Sequence, residues 1–168
     1  NNRPYYQKLV LDQGYWPESL LTAPSDEAFI RDIELTKAMG FNGVRKHQKV
    51  EDPRYLYHAD RMGLLVWGEI GAAYLYSEQY ADRIYREWLD GLRRDYNHPC
   101  IVGWTPLNES WGVQEIETDP RQQAHSEAMV ALTKSMATTR LVVDNDGWEH
   151  TSGDLLTIPD YSPSGEML

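Results

Sequence analysis

Residues 97–112 read NHPCIVGWTPLNESWG, and the order of physical character along that stretch decides the fold. Asn97, His98 and Pro99 form a breaker, because proline has no amide hydrogen and disfavours helix in the residue before it. The run that follows, through Trp104, is short and apolar, the pattern of a strand covered on both faces. It then turns polar at Asn108, Glu109 and Ser110. An apolar strand that ends in charge is either solvated there, paired, or opening on a site, since burying an unpaired charge is costly.

The same rhythm extends in both directions. Upstream, LLVWGEI at residues 64–70, FNGVRKH at 41–47 and QKLVLDQ at 7–13 are short apolar runs with polar ends. Downstream, RLVVDNDGW at 140–148 and DLLTIPDYS at 154–162 repeat it. Between them lie helix patterns. Residues 25–40 begin with Ser25 as a cap and stop at Gly40; residues 52–63 carry Pro53 near the start and Gly63 at the stop. Residues 77–99 form the longest helical stretch, with Trp88, Leu89 and Leu92 on its inner face, and residues 120–137 form another. Alternation of this kind predicts βα units around a parallel sheet: six strands, five crossovers, one unit over residues 1–168 with no linker.

Right-handed crossovers bring the carboxyl ends of parallel strands to one face. That face collects Asp12, Arg45, His47, Glu69, Asn108, Glu109, Asp144, Asp146, Asp160 and Tyr161. Any one of them alone is as well explained by a salt bridge or a loop cap. Six strand ends doing so together point to a site.

Composition excludes several functions. The formal net charge of -10 repels phosphate backbones, and no basic stripe offsets it, so nucleic acid is excluded as a partner. No apolar run is long enough to span a bilayer and no secretion signal is present, so a soluble chain is expected, its compartment open between cytoplasm and exterior. A single cysteine, Cys100, rules out an internal disulfide and reads as a buried thiol at the head of a strand. Six Trp and eleven Tyr against two Phe supply flat apolar faces with polar handles, which suit sugar rings as well as cores. Core packing accounts for Trp67 and Trp88, whereas Trp111 and Trp148, in loops past strand ends, are candidates for stacking on a sugar. The histidines are scattered, and His58 and His98 read as structural.

The ordered set FNGVR, YHADRMGLLVWGE, NHPCIVGWTPLNES and RLVVDNDGW resembles glycoside hydrolase family 2, which includes β-galactosidases, β-glucuronidases and β-mannosidases. The likeness runs over essentially the whole chain and implies a TIM-type (β/α)8 barrel. A complete barrel needs about 250 residues, so the 168 residues here are expected to be an incomplete one, with sequence missing beyond Asn1 and beyond the turn-like SPSGE near the other end.

The resemblance implies a retaining glycosidase in which Glu109 is the general acid/base and Asn108 binds the sugar 2-hydroxyl. Glu109 then needs a raised pKa, from an apolar wall such as Trp104 and Trp111 or from a second carboxylate. Arg45 matches an arginine that orients the site's carboxylates, and Tyr161 a tyrosine that supports the nucleophile. His47 sits one residue before the family's usual histidine position, while Asp144, Asn145 and Asp146 offer groups for sugar hydroxyls. The nucleophile belongs to a later strand and so falls outside this chain. Some members hold magnesium through a Glu and a His two residues apart after the third strand; EIGAAYLY at residues 69–76 has no such pair, so no metal or other cofactor is expected. The partner implied is a glycoside. Two other readings keep part of this picture: a non-catalytic carbohydrate-binding barrel, and a purely structural barrel segment prone to self-association through open edges. An open nucleotide-binding sheet is disfavoured, because no glycine-rich loop follows any strand.

Overall fold

The computed structural model describes residues 3–164, so the end of the SPSGE stretch lies outside the described residues. Strands β1 (Leu9–Asp12), β2 (Gly43–Lys46), β3 (Leu65–Glu69), β4 (Ile101–Thr105) and β5 (Leu141–Val142) form one sheet, each beside the next in chain order. All four pairings are parallel. Helices α1 (Asp26–Ala38), α2 (Pro53–Met62), α3 (Glu78–Asp95) and α4 (Pro120–Met136) make the crossovers. The result is an open arc of (β/α) barrel wall.

The helices begin where the sequence places their caps. Ser25 accepts from the Ala28 amide and Ser77 from the Tyr80 amide, while Asp52 and Asp119 cap the two helices that start with proline. Gly63 ends α2 in the left-handed region at φ 67°, where a side chain is strained.

Alternation along the strands separates two faces. Val44, Val66, Ile101 and Trp104 are buried and belong to one apolar cluster with Phe29, Ile33, Tyr55, Ile84, Trp88 and Leu92 from the helices. Lys46 lies on this side too, fully buried, its Nζ 2.8 Å from Glu51 and 3.7 Å from the centre of the Tyr55 ring. Arg45 and Glu69 face the concave side. Trp88 and Trp104 meet edge to face at 5.5 Å, and the Trp88 indole donates to Thr133 Oγ1 at 2.7 Å, joining α3 to α4. Leu92 is buried and Leu89 half-buried. Cys100 is buried at the head of β4, as its position implied.

Three expectations need correction. Trp67 is not a core residue: it is half-buried, and its indole donates to Gln7 Oε1 at 2.8 Å. Residues 154–162 form no strand: Leu156 and Ile158 are 73 % and 74 % exposed, and the described sheet has five strands rather than six. The segment starts by crossing the end of β5, where the Asp154 amide donates to the Val142 carbonyl and its carboxylate accepts from the Val142 amide. Trp104 does not wall the site either. It points into the helix layer, over Gly68, where a Cβ would stand 2.5 Å from the indole.

Candidate active site

The site begins with the turn after β4. Asn108 bridges in parallel to Asp146, and the Glu109 amide donates to the Asp146 carbonyl at 3.2 Å. Glu109 and Ser110 both adopt the left-handed backbone region, at φ 48° and 57°, which is uncommon for residues with side chains and persists only where the surroundings enforce it. Asn145 supplies that enforcement. Its Oδ1 accepts from the Ser110 amide at 2.9 Å, and its Nδ2 donates to Ser110 Oγ at 3.0 Å and to the Glu149 carbonyl at 2.7 Å. Gly147 completes the fit, since a Cβ there would come within 3.1 Å of the Glu109 Cα.

Arg45 is the centre of the polar floor. Its guanidinium donates from Nε to Glu69 Oε2 at 2.8 Å and from Nη2 to Glu69 Oε1 at 3.2 Å, and it also reaches Asn108 Oδ1 and Asp146. Glu69 accepts a further bond from the Gln48 amide at 2.8 Å. Burial pushes the Glu69 carboxyl up to about 7 against the pull of Arg45. The Asn108 side chain is almost fully buried and its Nδ2 has no hydrogen-bond partner among the described residues, so one amide donor on this floor is left for something else.

His47 borders the floor. Its Nδ1 pairs with Gln13 Nε2 at 3.1 Å, and burial together with the Arg45 charge holds it below its ordinary value, with Glu109 pulling the other way. Glu109 is half-buried and accepts a hydrogen bond from the Tyr161 hydroxyl. Two aromatic pairs lie in the loops past the strand ends. Tyr161 lies 6.1 Å from Trp148, ring centre to ring centre, and Trp111 meets Tyr74 at 5.5 Å and 81°.

Not every residue at the strand ends joins this group. Asp12 turns to the helix side and pairs with Lys46 and the Gly14 amide. Asp144 is fully buried, and its carboxylate accepts from His150 at 2.8 Å, the Asn145 amide at 2.9 Å and the Ser152 amide at 3.0 Å. Its oxygens are therefore engaged in shaping the loop after β5. Asp160 is exposed and caps the Ser162 amide. Sequence reasoning passed over Gln48, Gly147 and Tyr74. A tyrosine placed directly past the end of β3 was the one available signal for Tyr74.

Among the described residues one trio of metal-capable side chains converges, Asp60, His98 and Cys100. It lies at the other end of the strands. Asp60 accepts from the Cys100 amide at 2.8 Å and pairs with His98 Nδ1 at 2.6 Å, and burial pushes the Cys100 thiol up. These bonds close the α3–β4 breaker, which accounts for His98 and Cys100 as structural groups.

Parallel strands with an acid, an amide and an arginine gathered past their carboxyl ends define a (β/α)-barrel site of the kind barrel enzymes build. Residues 23–163 match the family of glycosyl hydrolases family 2, TIM barrel domain, and the chain belongs to that family. A β-galactosidase of Vibrio cholerae is 29 % identical over 172 residues, covering 96 % of this chain and 16 % of that protein. The crystal structure of a Bacteroides uniformis β-glucuronidase superposes with a TM-score of 0.74 at 25 % identity, over 84 % of this chain and 18 % of that one. A family 2 glycosyl hydrolase from Bacteroides cellulosilyticus gives a TM-score of 0.67 at 30 % identity, covering 81 % and 18 % of the two chains. The chain spans less than a fifth of the length of each of these proteins.

Proposed function

We propose that this chain is part of the catalytic barrel of a retaining glycoside hydrolase of β-galactosidase or β-glucuronidase type, with Glu109 as its general acid/base. The observation that carries this reading is the floor beside Glu109, where Arg45 binds Glu69, Asn108 and Asp146 together and the buried Asn108 amide keeps a donor that is unpartnered among the described residues. That donor suits a sugar hydroxyl. Asp146 and Arg45 hold Asn108 in register, His47 closes one side, and Trp111, Trp148 and Tyr161 supply the rim. Asp144 contributes by holding the loop that carries Asn145 and Asp146.

In this scheme Glu109 gives its proton to the glycosidic oxygen as the bond from that oxygen to C1 breaks, and a carboxylate beyond this chain attacks C1. Glu109, now ionised, takes a proton from water, whose oxygen displaces that carboxylate from C1. No metal enters the scheme, and the partner is a glycoside.

The test is made in the full-length protein with Glu109→Gln. On a glycoside with a poor leaving group, kcat/KM is expected to fall by about 10²–10⁴-fold, the usual contribution of a general acid. On an activated aryl glycoside the first, bond-breaking step is expected to be largely spared. Equal rates for both proteins on the poor substrate would remove Glu109 from the role.

A further inference from the structure

Away from the sugar chemistry, we infer that Asp60, His98 and Cys100 form a zinc site that ties α2 to the turn before β4. The ion binds through the Asp60 carboxylate, the His98 imidazole and the Cys100 thiolate. Cys100 directly precedes β4 and Glu109 follows it, so the two sites stand at opposite ends of the strand.

Each of the three offers one ligand atom within 4.8 Å of the other two. Zinc bonds of about 2.0–2.3 Å set tetrahedral ligand atoms about 3.3–3.8 Å apart, so side-chain rotation closes the set without moving the backbone. That backbone is already fixed. The His98 amide donates to the Asp95 carbonyl at 3.0 Å, and the Cys100 carbonyl accepts from the Val66 amide at 2.8 Å, docking the turn against β3. Pro99 stiffens the residue between them. Asp60 stands in the last turn of α2, which ends at Met62. Its Oδ1 accepts from the Cys100 amide at 2.8 Å, and its Oδ2 lies 2.6 Å from His98 Nδ1. On binding, Oδ1 keeps the amide, and the ion takes the place of the proton between Oδ2 and Nδ1.

The ligand types select the ion. Thiolate and imidazole suit zinc, whereas magnesium and calcium take oxygen ligands. Binding releases one proton to solvent, from the Cys100 thiol, and shifts the His98 proton to Nε2, so that the sulfur and Nδ1 lone pairs meet the ion. Two anionic ligands cancel its two charges, and a neutral centre avoids the cost of an unpaired charge in a half-buried place. Among the described residues no lysine or arginine pairs with Asp60 to compete for its carboxylate. The Asp60 and His98 side chains are 20 % and 22 % exposed, which admits the ion and leaves a fourth tetrahedral position to water, while Cys100 is buried. Without the ion the hydrogen bonds of the trio still close the turn, so zinc adds stability by binding the folded chain rather than by creating the fold.

The experiment titrates zinc into the full-length protein, reduced and stripped of metal, and into its Cys100→Ser and Asp60→Asn variants, with bound metal counted after dialysis. Cys100→Ser is expected to lose one zinc equivalent per chain. Asp60→Asn is expected to bind that zinc at least about tenfold more weakly, since even partners outside a ligand set are worth that much. Zinc is expected to raise the melting temperature of the wild type and to leave that of Cys100→Ser unmoved. Cobalt(II) in place of zinc reads the site in the unaltered protein, whatever the variants do to folding: a thiolate-to-cobalt charge-transfer band with the visible bands of tetrahedral geometry is expected, and its absence overturns the site. Equal zinc counts in the wild type and Cys100→Ser overturn it as well. A loss in Cys100→Ser with no change of affinity in Asp60→Asn leaves a thiol that collects metal by itself, and overturns the three-ligand set.

Discussion

Arg45 carries the strongest single-residue prediction, because among the described residues it is the cation that pairs with a fully buried Glu69. Removing one partner of a buried pair leaves the other charge without compensation, and breaking such a pair costs about 3–5 kcal/mol. Arg45→Met is expected to lower unfolding stability by that amount in denaturant melts, and the double variant Arg45→Met, Glu69→Gln to recover a large part of it. Additive losses in the two variants would show that the pair is not a unit. Arg45, Asn108 and Glu109 were legible in the sequence because each stands at the end of an apolar strand, where its polarity is conspicuous. The separate fates of Asp144 and Asp146 were not legible. Two acids of the same type, two residues apart, differ here only in which loop hydrogen bonds they meet, and those bonds come from His150, Thr151 and Ser152 in a segment with no periodic pattern.

At the level of elements, the close approach of β3 to β4 and the join between α3 and α4 set the shape of the wall. Gly68→Ala would place a methyl 2.5 Å from the Trp104 ring, and overpacking of this kind costs about 1–3 kcal/mol. Thr133→Val keeps the volume but strands the Trp88 indole N–H, with an expected loss of about 1–3 kcal/mol in the same melts. Unchanged stability in either variant would contradict the packing described. The helices were readable from their caps, Ser25, Pro53, Gly63 and Ser77, since capping is a local requirement. Residues 154–162 show the opposite case. Their apolar alternation satisfies the local rule for a strand, yet a strand also needs a neighbour to accept its hydrogen bonds and a layer to cover it, and neither is set by those nine residues. Trp104 follows the same logic: the period along β4 assigns it to a face, and only the tight fit over Gly68 says which face that is.

Over the whole molecule, an open arc of parallel strands leaves β1 and β5 with outer edges unpaired among the described residues, and Leu11 and Leu141 on the strands are 54 % and 46 % exposed. Taken by itself, this chain is expected to self-associate, with a light-scattering mass that rises with concentration; a monodisperse monomer across the range would count against it. Among the described residues no helix is long and apolar enough to cross a membrane. One acid-sensitive contribution, opposed in sense over the same range by Glu69 with its carboxyl raised to about 7, comes from His125, buried among Tyr76, Tyr80 and Tyr85 between α3 and α4, where burial holds its pKa down at about 4. The unfolded chain binds that proton near pH 6.5 and the folded chain only near 4, so this group's contribution is complete above 6.5 and is lost as pH falls toward 4. His125→Gln is expected to remove this contribution, so that the variant's stability falls less than that of the wild type as pH drops from 6.5 toward 4; two profiles that run parallel would contradict it.

The proposed acid/base role of Glu109 is tested most directly by azide. In the full-length protein carrying Glu109→Ala, an activated aryl glycoside needs no acid to leave, but the glycosyl-enzyme then lacks the base that water requires. Azide, already an anion, needs none. Added azide is expected to restore turnover and to yield a glycosyl azide with the configuration of the starting glycoside. A rate that does not respond to azide, with free sugar as the sole product, would contradict the assignment.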